Sequence, residues 1–218
     1  MMPTGGQGEQ RFVVAGGGLA EVVPSADLDG LADELRAAGV VVAQCLLDPG
    51  QTAAVEPLCR AGFRHVTRLV TLRRPAAVVV RHKSTLTVEP ADGPGLVEVF
   101  AATLAGSLDL PELSGVRPPA VELAGYPAGP QFVARLGGQV VGVLLLAPAE
   151  VLYLGLTPAV RGRGFGHALL AHALGELAGF PTVTVGADGR NLPALRLYDR
   201  HGFRPCRSQQ VFLWTAGR

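Results

Sequence analysis

Residues 161–166 read Arg-Gly-Arg-Gly-Phe-Gly, two cations and three glycines in six positions. Upstream, VLYLGL (151–156) is an aromatic, aliphatic and β-branched run that predicts a buried strand. Downstream, HALLAHALGELAG (167–179) puts Leu169, Leu170, Ala173, Leu174 and Leu177 on one face at helical spacing and stops at Gly179. A loop between a strand and a helix suits a phosphate, because the helix start presents unpaired N–H groups and partial positive charge. Gly162, Gly164 and Gly166 would let a ligand approach the backbone. Arg161 and Arg163 would add charge-assisted hydrogen bonds. The chemistry implied is a diphosphate held by a loop, and the loop alone leaves open which diphosphate it is.

A second pattern lies further on, where Asn191, Ala194, Leu197, Tyr198, Gly202 and Phe203 fall as N-x-x-A-x-x-L-Y-x-x-x-G-F. Tyr198 sits on an amphipathic helical stretch, where a tyrosine also serves as an ordinary core residue with a solvated hydroxyl. Other carriers of chemistry are Glu150 and Tyr153 on the strand before the loop, and Asp109 and Glu112 in a proline-rich connection. The five histidines show no metal-ligand spacing. His167, beside the loop, reads as an exposed residue at a helix start. The glycines fall as G-x-G-x-G without a following ribose-binding acid, which argues against a dinucleotide fold, and no Gly-Lys-Ser/Thr supports a Walker loop.

Leu156-Thr157-Pro158 followed by 161–166 resembles the V-x-P…[QR]-x-x-G-x-[GA] signature of the GNAT N-acetyltransferase superfamily. The pattern from Asn191 to Phe203 resembles that family's second signature, and the resemblance covers roughly 86–215. It implies an α/β protein with a mixed, mostly antiparallel central sheet flanked by helices. It implies acetyl-CoA as co-substrate, with its pyrophosphate on Arg161, Gly162, Arg163, Gly164, Phe165 and Gly166, and its pantetheine arm paired with Leu154, Gly155 and Leu156. The backbone N–H near Leu156 would polarise the thioester carbonyl. Tyr198 would protonate the departing thiolate, and Asn191 would cap the helix carrying Tyr198 and touch the pantetheine. Glu150 falls where histone-modifying members carry a catalytic glutamate and would serve as base. The activity implied is transfer of acetyl to a primary amine by direct attack in a ternary complex, without a metal. The alternative is a non-catalytic acyl-CoA-binding or sensing module. The acceptor is open, although a cationic amine would suit Asp109 and Glu112.

The elements that must position these residues occur partly twice. DPGQTAAVEPLCRAGFR (48–64) aligns without a gap with DGRNLPALRLYDRHGFR (188–204). The same register pairs 40–47 with 180–187, 27–39 with 167–179, and 11–16 with 151–156, so it sets Glu21 to Ala26 opposite Arg161 to Gly166. The first copy lacks the glycines and arginines, and it has Leu58 opposite Tyr198. Ahead of the second copy, 84–92 reads as a strand, 95–108 as a helix and 131–148 as a hairpin around Gly137-Gly138. The expected organisation is a flexible tail at 1–10, a degenerate GNAT-like half-domain without an acyl-CoA site at 11–75, a linker at 76–83, and a complete GNAT domain at 84–218.

Composition bounds the partners. A formal charge of +1 over 218 residues gives no reason to expect a nucleic-acid or membrane surface. Three scattered cysteines make neither a disulfide scaffold nor a zinc site. No basic-then-apolar leader opens the sequence, so a cytoplasmic protein is expected. Monomer and homodimer both remain open.

Overall fold

The computed structural model describes residues 11–75, 84–91 and 95–217. The tail and linker expected at 1–10 and 76–83 lie outside the described residues. The elements of the first repeat are β1 (Phe12–Gly16), β2 (Leu19–Val22), α1 (Leu31–Ala37), β3 (Val42–Leu47), α2 (Val55–Arg60) and β4 (Arg64–Pro75). There follow β5 (Thr87–Pro90), α3 (Leu96–Leu104), α4 (Pro119–Ala124), β6 (Gln131–Leu136), β7 (Gln139–Ala147) and β8 (Glu150–Leu156). The chain closes with α5 (Phe165–Glu176), β9 (Thr182–Asp188), α6 (Leu192–Arg200) and β10 (Arg204–Thr215). Among the described residues no helix is long and apolar enough to cross a membrane.

The chain divides into two compact units, Met1–Val66 with Gln209–Arg218, and Thr67–Ser208. In the first, β1 is antiparallel to β2, β2 is parallel to β3, and Gln210–Thr215 of β10 is antiparallel to β3. In the second, the sheet order is β4-β9-β8-β7-β6-β5, and only the β8/β9 contact is parallel. The mixed, mostly antiparallel sheet flanked by helices is therefore present. The compact units differ from the division expected at 76–83. Leu69–Pro75 of β4 pairs with β9, whereas β10 closes the first unit, so each unit ends on the closing strand of the other repeat. Side-chain burial explains the exchange. Val70 and Leu72 enter the core that holds Val183, Val185 and Ala187, while Phe212 and Trp214 enter the core that holds Ala43, Cys45, Leu58 and Phe63.

The repeat holds from β3 and β9 onward and slips upstream of them. The register that pairs 11–16 with 151–156 fails, because β1 turns back through Gly17 and Gly18 at φ 58 and 77. Two consecutive positive φ angles make the tight hairpin turn whose twist suits antiparallel strands. It is β2 that lies parallel to β3, as β8 lies parallel to β9. Glu21 is consequently no counterpart of Arg161. It sits within β2, opposite Val13 and Gln44.

In the second unit α5 is apolar nearly all round, and Ala168, Leu169, Leu170, Ala171, Ala173 and Leu174 are all buried. A helix with that pattern belongs inside a core rather than on a surface. One face of the sheet packs on α5 and α6 through Leu144, Leu146 and Val151, with Phe203 after α6 in the same core. The other face packs on α3 through Val133, Val143, Leu145 and Phe100. The strands between these layers carry the site.

Candidate active site

The strands β8 and β9 are paired only at Glu150↔Thr184 and Val151↔Val185. On the other side of β8, Leu146 faces Val151 but Leu145 faces Tyr153, which leaves Leu152 as an extra residue. A bulge of this kind bends its strand and ends regular pairing. Beyond it β8 diverges from β9 and a gap opens toward the strand ends. Thr157 N–H reaches back to Val141 O at 2.8 Å on β7, so alternation turns the Leu156 and Leu154 N–H groups toward the gap.

At the mouth of the gap the loop turns through Gly162 and Gly164 at φ 72 and 87. A Cβ at either position would meet nothing within 4 Å, so the space above the backbone is open. Gly164 is the N-cap of α5 and no side chain caps that helix, which leaves first-turn N–H groups for a ligand. Gly166 has a different reason. A Cβ there would lie 3.3 Å from Leu197 Cδ2, so its absence lets α5 approach α6.

The two arginines part company. Arg163 is exposed, with its guanidinium 5.3 Å from the centroid of the Phe165 ring. Arg161 instead donates from Nε to Leu156 O at 2.9 Å, from Nη1 to Gly106 O at 2.9 Å and from Nη2 to Thr103 O at 2.7 Å. It clamps the loop onto the C-terminal end of α3, where free carbonyls and partial negative charge favour a cation. Of the two cations expected to meet an anion, the geometry leaves Arg163.

Tyr198 is only 5% exposed and meets Phe203 edge-on at 5.8 Å. Burial first, and the charge of Asp109 second, push its hydroxyl above the ordinary tyrosine range. It therefore stays protonated, as a donor must. Asn191 accepts from Ala194 N–H at 3.1 Å and so caps α6, while its Nδ2 donates to Asp109 Oδ2 at 2.8 Å. Glu150 is half-buried at the closed end of the gap, opposite Ala147 and Thr184. Tyr153 shares a hydrogen bond with Thr103 Oγ1 at 2.8 Å and packs on Phe100 and Tyr126 at 4.8 and 6.0 Å between centroids. Burial chiefly pushes its hydroxyl up to about 12. Gly155 makes room for that ring, since a Cβ there would fall 2.5 Å from Tyr153 Cε1.

The connection after α3 is tied down by a polar network that the sequence did not disclose. Arg190 grips Glu112 with two bonds of 2.6 and 2.8 Å, and it grips Asp188 from Nε and Nη2, the shortest contact being 2.7 Å. Asp188 is buried and also accepts from Thr67 Oγ1 at 2.6 Å and Leu110 N–H at 3.1 Å. Burial pulls Asp188 upward, but the bonds from Arg190 and Thr67 outweigh it and leave its pKa lowered. Arg190 likewise lowers Glu112. Glu112, expected beside an acceptor cleft, is thus a partner of Arg190. His167 is half-buried rather than exposed, with Nδ1 2.9 Å from His201 Nε2 and the rings stacked. Among the described residues no group of three or more metal-ligating side chains comes together.

A family profile described as an acetyltransferase (GNAT) domain matches residues 127–205, which include the diverging strands, the loop and α6. The chain carries a GNAT acetyltransferase domain. A mycothiol acetyltransferase of Mycobacteroides abscessus is 33% identical over 157 residues, 64% of this chain and 50% of that enzyme. The chain spans about half, or less, of the length of the curated relatives it matches. Among solved structures, the GCN5-related N-acetyltransferase of Sphaerobacter thermophilus superposes with a TM-score of 0.58 at 18% identity, covering 92% of this chain and 74% of that one. A tandem GNAT protein from the clavulanic acid biosynthesis pathway superposes with a TM-score of 0.56 at 14% identity, covering 92% and 76%. At those identities the likeness is one of fold, and it extends over nearly the whole chain.

Proposed function

We propose that this GNAT chain transfers an acetyl group from acetyl-CoA to a primary amine by direct attack in a ternary complex. The observation that carries the reading is the gap between β8 and β9, opening onto a loop whose glycines leave free space and whose helix lacks a side-chain cap. A pyrophosphate fits the first-turn N–H groups of α5 and Arg163. A pantetheine arm fits the inward N–H groups of Leu154 and Leu156, and the latter would polarise the thioester carbonyl as charge develops on its oxygen. The amine lone pair attacks that carbon, the C–S bond breaks, and Tyr198 supplies a proton to the thiolate. Glu150 stands at the closed end as a base, directly or through water.

The first unit serves in this reading as a degenerate copy without an acyl-CoA site. Its parallel strands stay paired from Leu19↔Val42 through Glu21↔Gln44, which leaves no slot for a pantetheine arm. The relative's name brings a mycothiol-related amine into the acceptor search. The reading is tested by thiol release from acetyl-CoA with glucosamine, a mycothiol-related amine, tyramine, putrescine and a peptide with a free N-terminus. Transfer to at least one is expected, and Tyr198→Phe should lower that rate by about 10²-fold with acetyl-CoA binding unchanged. Acetyl-CoA binding with no turnover on any amine would make the chain an acyl-CoA-sensing module instead.

A further inference from the structure

The open mouth of the gap is entered by a side chain from the connection after α3. Thr184 N–H reaches Ala149 O at 2.8 Å on one side of β9, and Gly189 N–H reaches Arg68 O at 2.7 Å on the other. Alternation therefore turns the Asp188 N–H toward β8. With β8 diverged, that N–H is met by Asp109 Oδ1 at 3.0 Å, and Asp109 Oδ2 accepts from Asn191 Nδ2 at 2.8 Å. In the first unit the corresponding N–H, of Asp48, is met by Gln51 from its own turn at 2.8 Å. The second unit has replaced a local amide with a carboxylate brought in from another loop.

The loop is fixed in this position. Leu110 adopts a left-handed conformation, φ 41 and ψ 60, which a bulky side chain adopts only where its surroundings over-determine it. Its N–H is held by Asp188, and Glu112 is held by Arg190. The Asp109 residue lies on an exposed loop, but its carboxyl end points inward. Burial raises its pKa, against the lowering effect of the Asp188 N–H and the Asn191 amide. The charged and titratable groups around it are Asp188 and Arg190 at the end of β9, Glu112 on its own loop, Tyr198 on α6, Tyr153 on β8, and Glu122 and Tyr126 around α4. The charge of Asp109 raises all three tyrosines.

We propose that Asp109 is the acceptor-binding carboxylate, holding a cationic primary amine at the mouth of the gap and taking its proton. The proposal rests on the acetyl-transfer reading and narrows its acceptor to amines that arrive charged. Each oxygen of Asp109 uses one lone pair on the frame and retains another for the ammonium group. One proton passes from the ammonium to Asp109 and on to solvent. The freed nitrogen lone pair forms the C–N bond, the C–S bond breaks, and the second nitrogen proton balances the one the thiolate receives. Glu150 on β8 lies opposite Thr184, four residues before Asp188 on β9 and so about 13 Å from it at strand rise, so the two carboxylates can be tested separately.

The test compares the parent protein with Asp109→Asn, Glu150→Gln and Leu110→Gly, using acetyl-CoA and whichever amine of the panel turns over fastest. Asp109→Asn should lower kcat/KM for the amine at least 10²-fold and weaken its binding to the protein–CoA complex at least tenfold. Acetyl-CoA affinity should stay within about twofold. The deficit should shrink as the pH approaches the amine's own pKa, where neutral amine needs no base; the same relief in Glu150→Gln alone would overturn the proposal. Because asparagine puts a donor against one of the two frame contacts, Leu110→Gly provides a second variant that keeps the carboxylate and loosens its loop. It should raise the amine KM by a smaller factor with the pH profile unchanged. An Asp109→Asn protein within threefold of the parent, or one whose acetyl-CoA affinity moves with its rate, would overturn the proposal. A parent that transfers to none of the amines would remove the reading beneath it as well.

Discussion

Two strand-to-helix connections in this chain begin and end alike, Leu156 to Phe165 in the second unit and Val22 to Leu31 in the first. Each leaves a strand that runs parallel to its neighbour, and each enters its helix through a left-handed glycine at the N-cap, Gly164 at φ 87 and Gly30 at φ 75. Neither helix has a side-chain cap, and a Cβ on either glycine would meet nothing within 4 Å. The differences lie on both sides of that shared corner. β2 stays paired through Glu21, whereas β8 leaves its partner after Val151. In the first loop Asp27 N–H is taken by Ser25 Oγ and Asp29 N–H by Asp27 Oδ1, each at 3.1 Å, so its own side chains absorb the donors and add negative charge. In the second loop Gly162 and Gly164 bring no side chain to compete. The glycine corner thus belongs to both units, and the proposed acyl-CoA site differs from its silent counterpart in the diverging strand and the loop free of competing side chains.

The largest effect is expected from deleting the exchanged strand. Removing residues 1–83 deletes β4, which takes Val70 and Leu72 out of the second core and leaves β9 with a bare edge. An 84–218 fragment should therefore aggregate or fail to fold, while a chain starting at 64 should fare better. A monomeric, fully active 84–218 fragment would show that the exchanged strand is dispensable. A smaller effect separates the two arginines. Arg161→Ala gives up charge-assisted bonds to three carbonyls, each worth about 1.5–3 kcal/mol when well made, and should lower the melting temperature by several degrees. Arg163→Ala should leave melting nearly unchanged and weaken acetyl-CoA about tenfold. Reversed phenotypes would mean that Arg161 turns toward the ligand.

What the sequence could disclose followed from how local each signal is. The loop 161–166 lies within one strand-to-helix turn, so its glycine spacing is legible locally, whereas the run from Asn191 to Phe203 stands out only through its resemblance to a family signature. The bulge at Leu152 has no residue signature, because an extra residue in a strand looks like any other apolar position. The slip in the repeat did have one. Gly16-Gly17-Gly18 is a hairpin signal, and a register count that ran through it set Glu21 against Arg161. The Arg190–Asp188–Glu112 network joins residues on separate elements, and only the folded backbone brings them together. The exchange of β4 and β10 was equally hidden, since both close a repeat with the same Gly-Phe-Arg entry.

In the proposed function the shared glycine corner binds acetyl-CoA in only one of its two settings. Titration calorimetry of acetyl-CoA into the parent, Gly164→Val and Gly30→Val tests it most directly, because both substitutions impose the same left-handed strain, roughly 1–2 kcal/mol. One acetyl-CoA per chain is expected, with unchanged affinity in Gly30→Val, loss of binding in Gly164→Val and similar falls in melting temperature for both variants. Two equivalent sites per chain, or full affinity in Gly164→Val, would contradict it.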